Sequence, residues 1–357
     1  MTTIQSRKAD HLALAAEGPV GFRAQGTLLD GVRLVHDALP DLAESDVDTS
    51  CNVFGKKLRA PILIAAMTGG TDEAGRVNKD LAAIAEERGY AFGLGSQRAM
   101  VVRPETRGTF RVREVAKSTV VFGNVGVVQA REMKTAELQA MVDEVGADAL
   151  CIHLNPAMEL VQPGGDRDFR GGFETIARVA KELSVPVIVK ETGCGISPSI
   201  AKRVLGAGAK GIDVSGAGGT SWVGVETLRA EQQGDQVARS LGEAFWDWGI
   251  PTAVCVGSIA PILPPSAQLV ATGGVGSGLD AARAIALGAT LAGIARPVLK
   301  ALREGGPAGA TAFLDSVERE LRTAMLLTGS RDVAALRKAP RVLSPELIGW
   351  LTQISPT

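Results

Sequence analysis

The sequence has 357 residues, enough for one large domain that buries its own core. A core of that size needs no disulfide or structural metal to hold it together. Hydrophobic residues make up 45% and charged residues 22%, which is an ordinary globular composition. The 38 basic and 39 acidic residues leave a formal net charge of −1, so no general field attracts nucleic acid or an acidic membrane surface.

Eight short apolar runs follow a lead-in of residues 1–59, and each run predicts a β-strand. Most of them are continuously apolar, which is typical of parallel strands buried on both faces. The runs are residues 61–66, 91–95, 120–124, 149–155, 186–190, 211–215, 268–272 and 291–295.

Helical patterns separate these runs. The predicted helices are residues 78–88, 106–115, 135–145, 173–183, 198–205, 279–287 and 309–327. Pro251 followed by Thr252 indicates a further helix start rather than a ninth strand. Strand–helix alternation gives an open doubly wound sheet or a closed barrel.

Eight strand–helix units over about 240 residues favour a TIM-type (β/α)8 barrel. The predicted organisation is a single α/β domain: an N-terminal arm over residues 1–59, a barrel over 60–328 and a C-terminal tail over 329–357. Residues 219–249 form a long insertion after the sixth strand, the place where a barrel keeps a lid.

The four cysteines are far apart and form no C-x-x-C pair. This spacing argues against a zinc site and against a disulfide framework. No apolar stretch reaches membrane-spanning length, and the first ten residues hold no apolar signal segment. We therefore expect a cytoplasmic protein with reduced thiols and no membrane partner.

Polar residues and glycines stand at the C-terminal ends of the predicted strands, where barrels of this type have their reacting groups. Their occurrence at consecutive strand ends fits a polar ligand lying across the barrel mouth, by which we mean these strand ends and the loops that follow them. The residues at the first, second, third and sixth strand ends are Ala66, Met67, Thr68, Ser96, Arg98, Asn124, Ser215 and Thr220.

The last two predicted strands carry the clearest signal for a phosphate site. The seventh runs into Gly274, Val275 and Gly276 before a helix, and the eighth ends in Ala295 and Arg296. Glycines let backbone N–H groups approach phosphate oxygens, and a helix N-terminus adds a favourable dipole. Tight turns alone would explain isolated glycines, but the arginine at the next strand end favours phosphate binding.

Lys190 ends an apolar strand, where an ammonium group is costly unless it pairs with an anion or faces the mouth. Schiff-base chemistry, a phosphate clamp and a positive charge beside a flavin ring all fit this position. A structural ion pair with Glu191 or Asp213 fits it too, and spacing alone does not decide.

His153 and Asn155 are two residues apart, so on a strand both side chains point to the same side. Glu159 follows in the next loop, where a carboxylate above a phosphate site can help to hold Mg²⁺. A hydrogen-bonded histidine at the core edge and a solvated glutamate explain the same residues. Both interpretations stay open at this point.

Two further features lie outside the strands. Arg7 and Lys8 begin a short helical pattern that either forms a solvated face or folds over the mouth and pairs with a diphosphate. Trp222, after the glycine-rich sixth loop, either caps an apolar substrate or packs.

Taken together, these motifs resemble the FMN-dependent type 2 isopentenyl diphosphate isomerases. The resemblance runs from Arg7 to about residue 331 and keeps many separate motifs in order. The matching segments are residues 7–11, 66–70, 95–98, 153–156, 164–169, 189–191, 213–220, 273–275 and 295–296.

The resemblance implies a role for each segment. FMN would contact Ala66, Met67, Thr68, Ser96, Asn124, Lys190, Ser215, Thr220, Gly274, Val275, Gly276, Ala295 and Arg296. The substrate would meet Arg7, Lys8, Ser96, Arg98, His153, Asn155, Met158 and Trp222, with His153, Asn155 and Lys190 as catalytic groups. Mg²⁺ near Glu159 would bridge to the diphosphate, and NADPH would keep the flavin reduced. The implied reaction converts isopentenyl diphosphate to dimethylallyl diphosphate in isoprenoid biosynthesis, in a protein expected to form homo-oligomers.

One departure bears on activity. The family pattern places a glutamine immediately before the metal-binding glutamate, and this chain has Met158 there. A thioether cannot exchange a proton or make the hydrogen bonds of an amide. Three alternatives follow: isomerisation in which flavin alone moves protons, an FMN barrel enzyme with another prenyl diphosphate or altered redox chemistry, and a flavin-binding protein without turnover.

Overall fold

The computed structural model describes residues 4–354, with side chains from Asp10 onward. The part before the barrel contains α1 (Ile4–Glu17), β1 (Val32–Leu34), a 3-10 helix (Glu44–Asp46), β2 (Cys51–Val53) and β3 (Lys56–Leu58). Strands β2 and β3 pair antiparallel. Their buried residues Val53 and Leu58 pack against apolar residues of the barrel interior, such as Phe122.

Eight parallel strands close into a barrel, which confirms the predicted fold. They are β4 (Ile62–Ile64), β5 (Ala91–Gly93), β6 (Val121–Gly126), β7 (Ala149–Leu154), β8 (Val187–Glu191), β9 (Gly211–Asp213), β10 (Gln268–Ala271) and β11 (Leu291–Ile294). All eight coincide with the predicted runs, because both faces of each strand are covered and most of each run is therefore apolar.

Helices surround the barrel. They are α2 (Asp72–Arg88), α3 (Arg98–Val102), α4 (Val127–Glu132), α5 (Thr135–Val145), α6 (Pro156–Val161), α7 (Gly172–Glu182), α8 (Pro198–Gly206), α9 (Trp222–Gln232), α10 (Gln236–Ala244), α11 (Thr252–Ile259), α12 (Gly278–Ala286) and α13 (Arg296–Leu326). Helix α11 begins where Pro251 predicted it, and α9 with α10 fills the predicted insertion.

Two helix predictions were wrong. Residues 106–115 do not form an α-helix; a 3-10 helix covers Pro104–Phe110 instead. The Thr106 and Thr109 hydroxyls donate there to the carbonyls of Arg103 and Thr106, a local bonding that competes with α-helix formation. The last barrel helix begins at Arg296 rather than at residue 309, and its break at Gly306 explains why only the second half showed a helical pattern.

The C-terminal residues pack against the N-terminal arm. They form α14 (Val333–Lys338), β12 (Arg341–Leu343) and α15 (Pro345–Ile354). Strand β12 pairs antiparallel with β1, with Val32 opposite Leu343. The arm is thus anchored before it reaches the barrel. Among the described residues, none of the helices has the length and apolar character that a membrane span requires.

The arm also forms part of the wall of the mouth. The Phe22 N–H donates to the Gly219 carbonyl at 3.2 Å, and the Ser221 N–H donates to the Val20 carbonyl at 2.7 Å. Farther along, the Ala253 N–H donates to the Thr27 carbonyl at 2.9 Å. The arm is therefore bonded to the loop after β9 and to the start of α11.

Candidate active site

A cavity of about 440 Å³ opens at the barrel mouth, within the usual size range of small-molecule sites. It brings together eighteen of the residues proposed from the sequence. These are Ala66, Met67, Thr68, Ser96, Arg98, Asn124, His153, Asn155, Met158, Glu159, Lys190, Ser215, Thr220, Trp222, Gly274, Val275, Ala295 and Arg296.

Three residues proposed from the sequence are not among those that line the cavity in the described part of the chain. Gly276 is outside the cavity lining, and its N–H donates to Asp280 Oδ2 at 3.2 Å, at the start of α12. Arg7 and Lys8 are in α1, but their side chains lie outside the described residues. Their pairing with a diphosphate stays a prediction.

One end of the cavity is a cradle of glycines, formed by Gly218, Gly219, Gly273 and Gly274. A Cβ added to Gly219 would stand 2.3 Å from the backbone nitrogen of Gly274. Gly274 has a φ of +77°, and its own Cβ would come within 2.3 Å of a methyl group of Thr27. The glycine cradle therefore exists because the loop after β9, the loop after β10 and the arm pack so closely that these glycines have no room for a side chain.

Such a cradle fits the phosphate end of FMN. Backbone free of side chains lets a phosphate approach N–H groups, and the N-terminus of α12 follows directly. Arg296, at the first turn of α13, also lines the cavity and donates from Nη2 to the Gly18 carbonyl at 2.6 Å. The guanidinium group of Arg296, which brings a positive charge to this end of the cavity, is thus hydrogen-bonded to the arm.

Lys190 pairs with one of the two carboxylates considered from the sequence. Its Nζ is 3.0 Å from Asp213 Oδ2, and both side chains are buried. Glu191 instead accepts the backbone N–H groups of Thr192 and Gly193, each at 2.6 Å. Burial raises the pKa of Glu191 to about 7, although these hydrogen bonds act to lower it. Lys190 therefore combines a structural ion pair with a place in the cavity lining.

The polar side of the cavity is built on β7 and α6. His153 Nδ1 lies 2.8 Å from Asn124 Oδ1. Asn155 Nδ2 donates to Glu159 Oε1 at 2.8 Å, and the Asp166 N–H donates to Glu159 Oε2 at 2.8 Å. These bonds orient Glu159 toward the cavity, so it is not the solvated surface glutamate that spacing also allowed.

The described part of the chain holds no cluster of three or more His, Cys, Asp or Glu side chains that could bind a metal. A cation at Glu159 would therefore take most of its oxygens from bound substrate and water. This is the usual arrangement for Mg²⁺ with a phosphate substrate.

Helices α1 and α9 form a roof over the cavity. His11 Nε2 is 2.6 Å from Glu226 Oε1, and the His11 ring meets Trp222 edge-on with centroids 5.4 Å apart. Burial alone would raise the pKa of Glu226, but the hydrogen bond from His11 and the charge of Arg229 outweigh it and lower that pKa. Arg229 Nη1 completes the cluster at 2.6 Å from Glu226 Oε2.

Sequence reasoning missed several lining residues. Gln129, in the turn of α4 just after β6, donates to Asp166 Oδ2 at 2.8 Å. Its place after a strand end is the signal that could have identified it. Leu12 and Ala15 of α1 give the roof an apolar lining, and Leu299 of α13 adds an apolar side chain to the cavity. The sequence offered no local signal for these three residues.

Comparison with known proteins places this geometry in a family. Residues 2–158 and 165–343 match the model of the FMN-dependent dehydrogenase family. A Synechococcus sp. isopentenyl-diphosphate delta-isomerase is 45% identical, covering 96% of this chain and 97% of the relative. The Nostoc sp. protein of the same name is 43% identical over 93% of this chain and 94% of its own length. The one from Methanothermobacter thermautotrophicus is 41% identical over 98% and 96%.

Solved structures of low sequence identity share the fold. A mandelate oxidase mutant with a monooxide FMN adduct superposes with a TM-score of 0.66 at 20% identity, covering 96% of this chain and 97% of that chain. Mandelate oxidase with (S)-2-phenylpropionate gives a TM-score of 0.66 at 21% identity over 94% and 93%. This likeness shows a shared fold alone.

Proposed function

The chain belongs to the isopentenyl-diphosphate delta-isomerases within the FMN-dependent dehydrogenase family, and on that premise we propose that it isomerises isopentenyl diphosphate to dimethylallyl diphosphate with FMN at the barrel mouth. One observation supports the proposal most strongly. The glycine cradle, Lys190 and the polar set His153, Asn155 and Glu159 all line the same cavity. The cavity thus offers an anion cradle for a cofactor and a separate polar patch for a second phosphate-bearing molecule.

The reaction moves a double bond by one position, with one proton delivered and one removed and no net redox change. Bound FMN, when reduced, supplies an electron-rich ring that can carry a proton to and from the alkene. The chain's own residues hold the reactants in place. Lys190 presents a positive charge to the ring, and the glycine cradle with Arg296 grips the phosphate.

His153, Asn155 and Arg98 bind the substrate diphosphate in this proposal, with Arg7 and Lys8 added from α1. Trp222 and the apolar side chains of the roof exclude water from the alkene. Exclusion of water protects developing positive charge at carbon and strengthens the electrostatic contacts inside the site. The hydrogen bond between His11 and Glu226 keeps the roof closed over the substrate.

Three finer points belong to the same proposal. Mg²⁺ bridges Glu159 and the diphosphate, NADPH serves only to reduce FMN, and the protein works in the cytoplasm as a homo-oligomer. The Glu159 hydrogen bonds support the first point. All four cysteines are free thiols, which agrees with a reducing compartment.

The proposal is tested with anaerobic, photoreduced FMN-loaded protein, isopentenyl diphosphate and Mg²⁺ in D₂O. We expect deuterium in the dimethylallyl diphosphate that forms and no reaction with oxidised FMN. Turnover of a 2-hydroxy acid with O₂, and none of the diphosphate, would assign the protein to oxidase chemistry instead. Tight FMN binding without either reaction would indicate a flavin-binding protein.

The Mg²⁺ site makes a separate prediction. Glu159→Gln keeps the size of the side chain but removes its negative charge, so we expect the Mg²⁺ concentration for half-maximal activity to rise at least tenfold. Affinity for FMN should stay unchanged, because Glu159 lies on the polar side of the cavity. A Mg²⁺ titration of the isomerase rate measures the effect, and an unaltered midpoint would remove Glu159 from the metal site.

A further inference from the structure

Three polar side chains at the ends of neighbouring barrel strands are linked to one another, beginning with Lys190. Lys190 on β8 and Asp213 on β9 are register partners in the parallel sheet. Thr272, which follows β10, donates its hydroxyl to Asp213 Oδ1, while Asp213 Oδ2 faces Lys190 Nζ at 3.0 Å. The order of the links is thus Lys190–Asp213–Thr272.

The first and last of these three side chains line the cavity, and the middle one does not. Lys190 and Thr272 line the cavity, whereas Asp213 is outside the lining and only 4% exposed. Apolar Cys151 shares this interior, and its burial raises the pKa of its thiol. A carboxylate in such surroundings persists only with an opposite charge or strong donors beside it, and Asp213 has one of each.

We infer that Asp213 is a positioning residue that holds the Lys190 ammonium toward the cofactor and partly cancels its charge, so that this pair sets the reduction potential of bound FMN. The inference rests on the proposed FMN site. An ammonium group has three donors. One of them bonds to Asp213, which fixes the nitrogen and leaves the others for the cavity.

Asp213→Asn separates charge from geometry. An asparagine oxygen can still accept from Lys190, but the positive charge is no longer cancelled, and positive charge favours the more negative, reduced flavin. We expect the reduction potential of FMN to rise by about 30 mV, a tenfold change in a two-electron equilibrium. Anaerobic reduction beside a reference dye measures this potential without reference to isomerase activity.

A double-mutant cycle with Lys190→Met tests whether Asp213 acts through the lysine. Without Lys190, Asp213 has no ammonium group to position and no positive charge to cancel. We therefore expect Asp213→Asn to leave the potential unchanged in the Lys190→Met background. An equal shift in both backgrounds, no shift in the parent background, or a fall in potential would overturn the inference.

Thr272 supplies a second, milder test if Asp213→Asn yields no folded protein. Thr272→Val removes the hydroxyl donor, so the carboxylate charge acts more fully on Lys190. We expect the two-electron equilibrium to shift about threefold toward oxidised FMN. Thr272→Ser keeps the donor and serves as the matched control. Equal potentials for the two variants would contradict the inference. Unaltered potentials on FMN-loaded protein defeat only this inference, whereas refusal of FMN by the parent protein defeats the proposed function with it.

Discussion

Replacing Gly219 by alanine is expected to weaken FMN binding at least a hundredfold, about 2.7 kcal/mol. The new methyl group would stand 2.3 Å from the Gly274 nitrogen and 2.7 Å from its Cα. Both neighbours are backbone, and on the other side the arm is bonded to Gly219 through Phe22. The glycine cradle must therefore open to admit the methyl group, and the phosphate loses its backbone donors. Fluorescence titration of apoprotein with FMN measures the loss.

Gly276 provides the matched control for this experiment. It follows the cradle in sequence, and its Cβ would meet only Asp280 Oδ2 at 3.9 Å. The Kd of Gly276→Ala for FMN should therefore lie within about threefold of the parent value. This corresponds to a difference in binding free energy of at most about 0.6 kcal/mol. Thermal unfolding of both apoproteins shows whether each variant is folded. Parent-like FMN affinity in folded Gly219→Ala would mean that the phosphate binds elsewhere.

Replacing Met158 by glutamine is expected to raise the isomerisation turnover number by tenfold or more. Met158 lies in the first turn of α6 and lines the cavity, with its sulfur 3.9 Å from Asn155 Nδ2. Glutamine has nearly the same length but brings an amide that both donates and accepts hydrogen bonds. A positioned group that assists proton transfer contributes about 10²- to 10⁴-fold, and this chain lacks that group at position 158.

Met158→Leu is the control, because leucine keeps the apolar character without the amide. Turnover is measured with reduced FMN and saturating Mg²⁺, by the rate of deuterium entry into product. We expect the leucine variant to match the parent and the glutamine variant to exceed both, with equal FMN affinities. Equal rates for all three proteins would mean that the side chain at position 158 takes no part in proton transfer and that flavin alone suffices.

The barrel was predictable from the sequence because a strand that is buried on both faces is apolar over most of its length. Most of the eight strands are continuous apolar runs, and residues 187–191 show how a run ends in charged residues where the mouth begins. The glycines after β10 and the arginine after β11 indicated the proposed phosphate end for the same local reason. These features depend on neighbours in sequence.

What escaped prediction depends on residues far apart in sequence. Glu226 meets His11 across 215 positions, and no spacing rule connects them. The choice between Glu191 and Asp213 as the partner of Lys190 follows from strand register, which pairs β8 with β9. The contact of the arm with the glycine cradle likewise depends on the fold, which sets Thr27 against Gly274.

The most direct test of flavin-assisted isomerisation counts product molecules against reducing equivalents. Holoprotein is reduced anaerobically with one equivalent of NADPH per FMN and then supplied with excess isopentenyl diphosphate and Mg²⁺. We expect many molecules of dimethylallyl diphosphate for each NADPH consumed, with FMN still reduced at the end. One product per reducing equivalent, with FMN reoxidised, would contradict an isomerase and indicate a redox enzyme.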